Sequence, residues 1–347
     1  MTRPEFAFQW HITDECDQRC RHCYIFSGEA RRSLLQTPWQ QMLKAVDACL
    51  EMCERFQRRP HFYLTGGDPL LHPDFWRLAE SLHGLKLDFT VLGNPFHLDE
   101  AVCARLRELG CVRYQMSLDG LRETHDWFRK PGSYDCTMEK LPLLRQAGIE
   151  TAIMSTVSAR NIAEIPALIH EAVNAGVSVY AFARYCPERG KGENGIAPLE
   201  YRKLLERCDS IYQKYEQEGC GTAFARKDHL WTLYYYETGR FRIPEDAEPD
   251  IIYGGCNCGN CHLTILPNGD VYACRRLPSR VGNVFEDDLT HIWLEDMEAY
   301  RDYSAFEKCS RCKLLPYCRG CPAVAYSATG SFYGADPQCW AADGSLH

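Results

Sequence analysis

Apolar positions along the chain recur in two alternating periods. Residues 6–12 form a short apolar run, and residues 39–56 then repeat their apolar positions at helical spacing. The alternation continues with a run at 61–65, a helical stretch at 73–82, a run at 87–92, a helix at 100–109 and a run at 112–118. It closes with a helix at 136–147, a strand at 150–157, a helix at 162–175, a strand at 177–185 and a long helix at 198–218. Six strand–helix units of this kind predict an α/β fold with a parallel sheet and right-handed crossovers. Six is two short of a closed eightfold barrel, so residues 1–221 are expected to form an open (β/α)6 partial TIM-type barrel. Such barrels gather their functional groups at the C-terminal strand ends.

Near Gly221 the alternation stops. Residues 222–255 hold Tyr234-Tyr-Tyr236, Pro244 and several acidic residues with no clear period, and are read as a bridging segment that lines the site. From Cys256 the chain turns loop-rich, with short strands at 263–266 and 271–273 joined by Pro267-Asn-Gly-Asp270. A segment so short on regular structure struggles to bury a core, and metal ligation can replace one.

A length of 347 residues suits two domains, or one large domain with an appendage. The chain is 45% hydrophobic and 25% charged, as a globular protein with a sizeable core should be. A net charge of −8 with no Lys/Arg-rich run removes the footprint of a nucleic-acid binder. No stretch approaches the ~18 apolar residues of a membrane span, and the start lacks a signal peptide's apolar core. The expected location is therefore cytoplasmic, where thiols stay reduced.

Twenty cysteines are anomalous in that setting. Nine lie between Cys256 and Cys339, three stand at C-x3-C-x2-C spacing as Cys16, Cys20 and Cys23, and eight are scattered. Clustering of this kind points to metal binding or catalysis. A structural zinc site would take a fourth Cys or His nearby. A [4Fe–4S] cluster is normally held by four cysteines, so three leave one iron with an open position. His22 is a fourth ligand on paper, but it sits inside a tight loop that would turn it away. The second strand runs into Thr65-Gly66-Gly67-Asp68-Pro69-Leu70, where adjacent glycines let backbone approach a ligand closely. The fourth ends in Ser117-Leu-Asp119-Gly120. Each is ambiguous alone, yet both share the strand ends with the cysteines.

Together these three motifs resemble the radical S-adenosylmethionine enzymes over nearly the whole chain. The resemblance implies that Cys16, Cys20 and Cys23 hold a [4Fe–4S] cluster whose fourth iron takes the amino and carboxylate groups of S-adenosylmethionine. His22 falls at the family's aromatic position and, with Tyr24, would lie by the adenine. Gly66, Gly67 and Asp68 match the segment that binds the methionine amino group, with Asp in place of the commoner Glu. Ser117 matches a residue contacting the methionyl or ribose part. Arg129 is a plausible carboxylate partner, because a guanidinium fork suits a carboxylate; a surface arginine is the plainer reading.

The C-terminal cysteines resemble the SPASM extension of these enzymes, a small loop-rich domain binding two auxiliary [4Fe–4S] clusters. Residues 256–347 would form it. Cys318-Arg-Gly-Cys321 is one residue tighter than the family pattern. By the resemblance Cys309, Cys312, Cys318 and Cys339 hold the outer cluster. Cys274 and Cys321 hold the inner one with two of Cys256, Cys258 and Cys261, for which Cys256 and Cys261 are preferred and Cys258 is a possible substitute. The alternative is a zinc-ribbon-like site, which C-x2-C spacing also suits. Of the scattered cysteines, Cys49, Cys53, Cys103, Cys111, Cys136, Cys208 and Cys220 fit core packing. Cys186 ends the sixth strand and is the one candidate catalytic residue.

The implied activity is reductive cleavage of S-adenosylmethionine to a 5′-deoxyadenosyl radical that takes hydrogen from an unactivated C–H. Enzymes of this architecture mostly modify ribosomally made peptides or proteins, by thioether or C–C crosslinks, epimerisation or oxidation. Fifteen residues precede Cys16, so peptide recognition is expected through a separate leader-binding partner or the barrel mouth. Flavodoxin or ferredoxin would donate the electron. Anaerobic sulfatase maturases carry an Asp directly after the hairpin cysteine, where this chain has Arg275. A small-molecule dehydrogenase and a non-enzymatic electron carrier are the remaining alternatives.

Overall fold

The computed structural model describes residues 3–26, 34–189, 194–248 and 251–342. The elements in order begin β1 (Glu5–Thr13), α1 (Trp39–Arg55), β2 (Arg59–Gly66), α2 (Phe75–Gly84), β3 (Phe89–Leu92), α3 (Glu100–Glu108) and β4 (Cys111–Ser117). They continue α4 (Arg122–Phe128), α5 (Ser133–Gln146), β5 (Glu150–Val157), α6 (Ile165–Asn174), β6 (Val179–Arg184), α7 (Pro198–Gln217), β7 (Ala223–Ala225) and α8 (Leu230–Glu237). The last are β8 (His262–Ile265), β9 (Asp270–Tyr272), β10 (Arg280–Asn283), α9 (Leu289–His291) and α10 (Pro322–Thr329). All six expected strand–helix units are present, and the α/β sheet is parallel in its body and unclosed.

The chain folds as two compact units. The first comprises Met1–Leu118, Arg122–Ile153 and Cys258–Arg301; the second comprises Asp119–Leu121, Met154–Asn257 and Asp302–His347. In the first, β1 pairs in parallel with β2 on one side and β8 on the other, and β3 and β4 follow β2. β9 and β10 extend β8 antiparallel.

Alternation sorts the two faces of this sheet. Phe8, Trp10, Phe62, Leu64, Phe89 and Val91 are fully buried on one face, with Phe8 stacked on Phe62 at 5.6 Å. Each such side chain contributes about 1.5–3 kcal/mol of burial. α1 adds a buried stripe of Met42, Ala45, Val46, Cys49, Met52 and Cys53 at helical spacing. The other face is polar. Gln9 and His11 stand in register with Tyr63 and Thr65 of β2, and Gln9 also with Thr264 of β8.

Four elements differ from the sequence expectation. Residues 223–237, read as aperiodic, form β7 and α8, and β7 pairs in parallel with β6 in the second unit. Their core is aromatic: Tyr212 stacks on Phe224 at 4.2 Å, and Trp231 packs on Phe182 at 5.9 Å. A three-residue strand is too short for any period to show. The helix α4 was also not expected, and β8 joins the first unit as a parallel neighbour of β1.

Candidate functional site

β1 ends at Thr13, and the chain goes straight into the cysteine loop. Cys16, Cys20 and Cys23 are all half-buried there, and the Cys23 N–H donates to Cys20 O at 3.1 Å to close a turn. The loop is held from a distance by α4 and the start of α5. Arg21 N–H donates to Phe128 O and Arg21 Nε to Trp127 O, each at 2.8 Å. Gln18 Nε2 reaches Ser133 Oγ at 2.9 Å, and Lys130 Nζ reaches Asp17 O at 3.4 Å.

Two donors address the sulfurs themselves. Arg129 Nη1 lies 3.7 Å from Cys20 Sγ, and Asn94 Nδ2 lies 4.0 Å from Cys16 Sγ. Burial, reinforced by Asp68, Cys20 and Asp17, pushes the Cys16 thiol up to about 12. A metal coordinated by such a thiol deprotonates it outright.

The glycines after β2 do something other than leave free N–H groups. Gly67 N–H donates to Thr13 O at 2.8 Å and Asp68 N–H to Glu15 O at 2.6 Å. A Cβ on Gly67 would stand 2.0 Å from Glu15 O, and Gly66 has φ +138° with Thr13 O equally close. The pair therefore lets the β2 end pack on the backbone of the cysteine loop. That packing delivers Asp68, fully buried, to the loop. Its Oδ1 accepts from Leu70 N–H at 3.1 Å, while Oδ2 has no partner among the described residues. Burial raises the Asp68 carboxyl to about 7. Asp68, Asp17 and His97 bring their ligand atoms within 4.8 Å of one another. An unpaired buried carboxylate oxygen beside a second carboxylate suits a cationic group such as a methionine ammonium.

The remaining cofactor candidates lie in the same unit. Ser117 is half-buried at the end of β4. His22 packs edge-on against Phe128 at 5.0 Å. Tyr24 is 39% exposed and carries the Arg275 guanidinium over its ring at 5.0 Å.

In the second unit, Cys309, Cys312, Cys318 and Cys339 share one electrostatic neighbourhood. Burial pushes Cys309 up to about 12, with Cys339, Cys312 and Asp336 adding to it. Cys318 is raised by burial and by Cys309, Cys339 and Asp336. Among the described residues only Asp17, Asp68 and His97 form a ligand group within 4.8 Å.

The other cysteines are placed as follows. Cys256 and Cys321 belong to the second unit, with Cys256 O accepting from Arg319 Nη2 at 2.8 Å. Cys258 is buried in the first unit, where Cys261 O receives Ala7 N–H and Cys274 N–H donates to Ser279 Oγ. Cys186 Sγ donates to Ala323 O of α10 at 2.9 Å. Cys49, Cys53, Cys103, Cys111 and Cys208 are buried, and Cys136 and Cys220 half-buried.

Residues 10–172 match the model of the radical SAM superfamily, and residues 256–322 match that of the iron–sulfur cluster-binding SPASM domain. The chain carries a radical S-adenosylmethionine domain followed by a SPASM domain. An AdoMet-dependent heme synthase of Methanosarcina barkeri is 27% identical over 98% of this chain and 97% of its own. The mycofactocin maturase MftC of Mycobacterium tuberculosis is 26% identical over 95% of this chain and 81% of its own. Among solved structures, Streptococcus suis SuiB bound to S-adenosylmethionine superposes with a TM-score of 0.75 at 20% identity, covering 98% of this chain and 78% of that one. That likeness is one of fold. No helix among the described residues is long and apolar enough to cross a membrane.

Two groups at the site carried no motif in the sequence. One is the α4 clamp on the cysteine loop. The other is the polar sheet face with Gln9, His11 and Arg275. Its signal was the alternation of Gln9 and His11 inside the apolar run 6–12.

Proposed function

We propose that this enzyme modifies a residue of a ribosomally made peptide or protein by hydrogen abstraction. Cys16, Cys20 and Cys23 hold the cluster, Asp68 takes the cofactor's ammonium, and Arg129 takes its carboxylate beside Cys20. Gly66 and Gly67 set the close packing that seats Asp68, Ser117 borders the methionyl or ribose part, and His22 and Tyr24 flank the adenine. When bound, cluster and cofactor supply a radical able to take hydrogen from an unactivated C–H. Cys309, Cys312, Cys318 and Cys339 hold an auxiliary cluster as an exit for the electron. Functionally we divide the chain at 1–221, 222–255 and 256–347. A flavodoxin or ferredoxin is the proposed electron donor, with a separate protein presenting the peptide.

The observation that carries the radical reading is the half-buried three-cysteine loop beside the orphaned Asp68 Oδ2. The peptide reading draws support from the relative named a maturase. A second reading, a tetrapyrrole substrate, is favoured by the end-to-end match to a heme synthase. The test is anaerobic reconstitution, reduction and addition of S-adenosylmethionine with peptides from neighbouring reading frames or with Fe-coproporphyrin III. 5′-Deoxyadenosine that rises with a peptide, together with a mass change in that peptide, is the expected result. A rise with the porphyrin alone transfers the assignment to the second reading. Cys20→Ala should abolish deoxyadenosine, and its survival would refute the role of the opening motif. Iron near twelve per chain is expected if all three clusters are present.

A further inference from the structure

We infer that Arg275, with His11 and Gln9, forms a subsite for a carboxylate of the substrate; this deepens the radical-enzyme reading and rests on it. The subsite lies on the polar face of the first unit's sheet. Tyr24, next to Cys23, links its members: the Arg275 guanidinium sits over the Tyr24 ring at 5.0 Å, and the His11 ring meets it edge-on at 6.0 Å. Gln9 Nε2 approaches His11 Nε2 at 3.5 Å.

Three observations point to a ligand there. His11 is fully buried, yet its Nδ1 has no partner among the described residues. Arg275 Nε is likewise buried without a partner, and no carboxylate pairs with Arg275 among the described residues. Third, the charged groups that bear on His11 are Arg275 and His262, both basic. A buried guanidinium N–H and an imidazole nitrogen left unpaired cost free energy that a ligand can recover.

The chemistry of the missing group follows from the donors. One permanent positive charge matches a monoanion. The planar fork of the guanidinium, with a neutral imidazole and an amide beside it, matches the two oxygens of a carboxylate. The cofactor's own carboxylate has Arg129 beside Cys20, so Arg275 is free for the substrate. The position directly after Cys274 thus selects an acid-bearing substrate, whether the acid is a propionate of a tetrapyrrole or a carboxylate of a peptide.

The test measures binding without reductant, so it stands even if no cofactor is cleaved. Anaerobically reconstituted protein is titrated with Fe-coproporphyrin III and with its tetramethyl ester, followed by Soret absorbance. A Gly-Ala hexapeptide with a free or an amidated C-terminus is titrated in parallel by calorimetry. In the wild type, the acid of at least one pair should bind about tenfold or more tighter than its neutral partner. The pair that shows the preference identifies the source of the carboxylate. Arg275→Gln should bring that ratio close to one, Arg275→Lys should restore part of it, and His11→Ala should lower it less. Iron content and S-adenosylmethionine affinity check that the variants are intact. No acid preference in the wild type with either pair, or a preference undiminished in an intact Arg275→Gln, overturns the subsite.

Discussion

Each unit buries polar groups, and two of their clusters differ in what is left over. In the second unit Arg184 is fully buried, and all five of its N–H groups are spent. Nε and Nη2 meet Asp228 at 2.8 and 3.2 Å, Nη1 and Nη2 meet Asp336 at 2.6 and 2.8 Å, and Nη1 also meets Gln338 at 2.9 Å. Asp336 further accepts the Cys321 N–H at 2.7 Å, and Gln338 exchanges hydrogen bonds with Asn194 at 3.1 and 3.0 Å. In the first unit Asp68 Oδ2, His11 Nδ1 and Arg275 Nε are buried and unmatched among the described residues. The first arrangement fixes backbone, tying the end of β6 and the start of α8 to the segment that carries Cys321 and Cys339. The second waits for ligands: a cation at Asp68 and an anion at Arg275.

Removing Arg184 should have the largest effect on stability. Arg184→Met leaves two buried carboxylates without their cation, which costs about 3–5 kcal/mol. Thermal unfolding of the reconstituted protein should drop sharply, and Cys321 and Cys339 should lose their fixed positions. Auxiliary-cluster iron would then fall while the opening-motif cluster persists. An unfolding temperature equal to the wild type's would show that the network is no anchor, and the comparison would collapse.

How much of this was legible in the sequence follows from the range of each interaction. β1 to β6 and their helices were readable because each carries its own period. The cysteine loop was readable because its ligands lie within eight residues. Arg184 was not, because Asp336 lies 152 positions away. β8 has four residues, and nothing local states that its partner is β1, some 250 residues earlier. α4 is a seven-residue helix whose importance lies in backbone carbonyls, Phe128 O and Trp127 O, which have no sequence signature. Asp68 was readable as a motif residue, but not that its neighbours Gly66 and Gly67 serve to pack one strand end against another.

Asp68→Asn should act in the opposite direction from Arg184→Met. Its carboxyl has a pKa near 3.8 when unfolded and about 7 when folded. Between these values the unfolded chain releases a proton that the folded chain keeps, so ionisation weakens the fold as pH rises from about 4 to 7. The penalty is then constant above pH 7. Asp68→Asn should therefore stabilise the cofactor-free protein by about 1–3 kcal/mol at pH 7.5 and hardly at all near pH 4. The same change should weaken S-adenosylmethionine binding, because the ammonium loses its counter-charge. A variant destabilised at pH 7.5 would mean that Asp68 is an anchor like Arg184, and the contrast between the units would be lost.

The smallest effect is expected at Lys130, and it sharpens what the contrast is about. Lys130 Nζ stands 3.7 Å from Asp17 Oδ2, 3.4 Å from Asp17 O and 4.0 Å from the centre of the Phe96 ring. By count of partners it resembles Arg184. By burial it does not: its side chain is 39% exposed, against 0% for Arg184. Water already solvates the ammonium, so little is gained by pairing it and little is lost by removing it. Lys130→Gln should shift unfolding by no more than about 0.5–1 kcal/mol, and less in high salt. A loss as large as that of Arg184→Met would make the number of partners, rather than their removal from water, the property that separates an anchor from a surface contact.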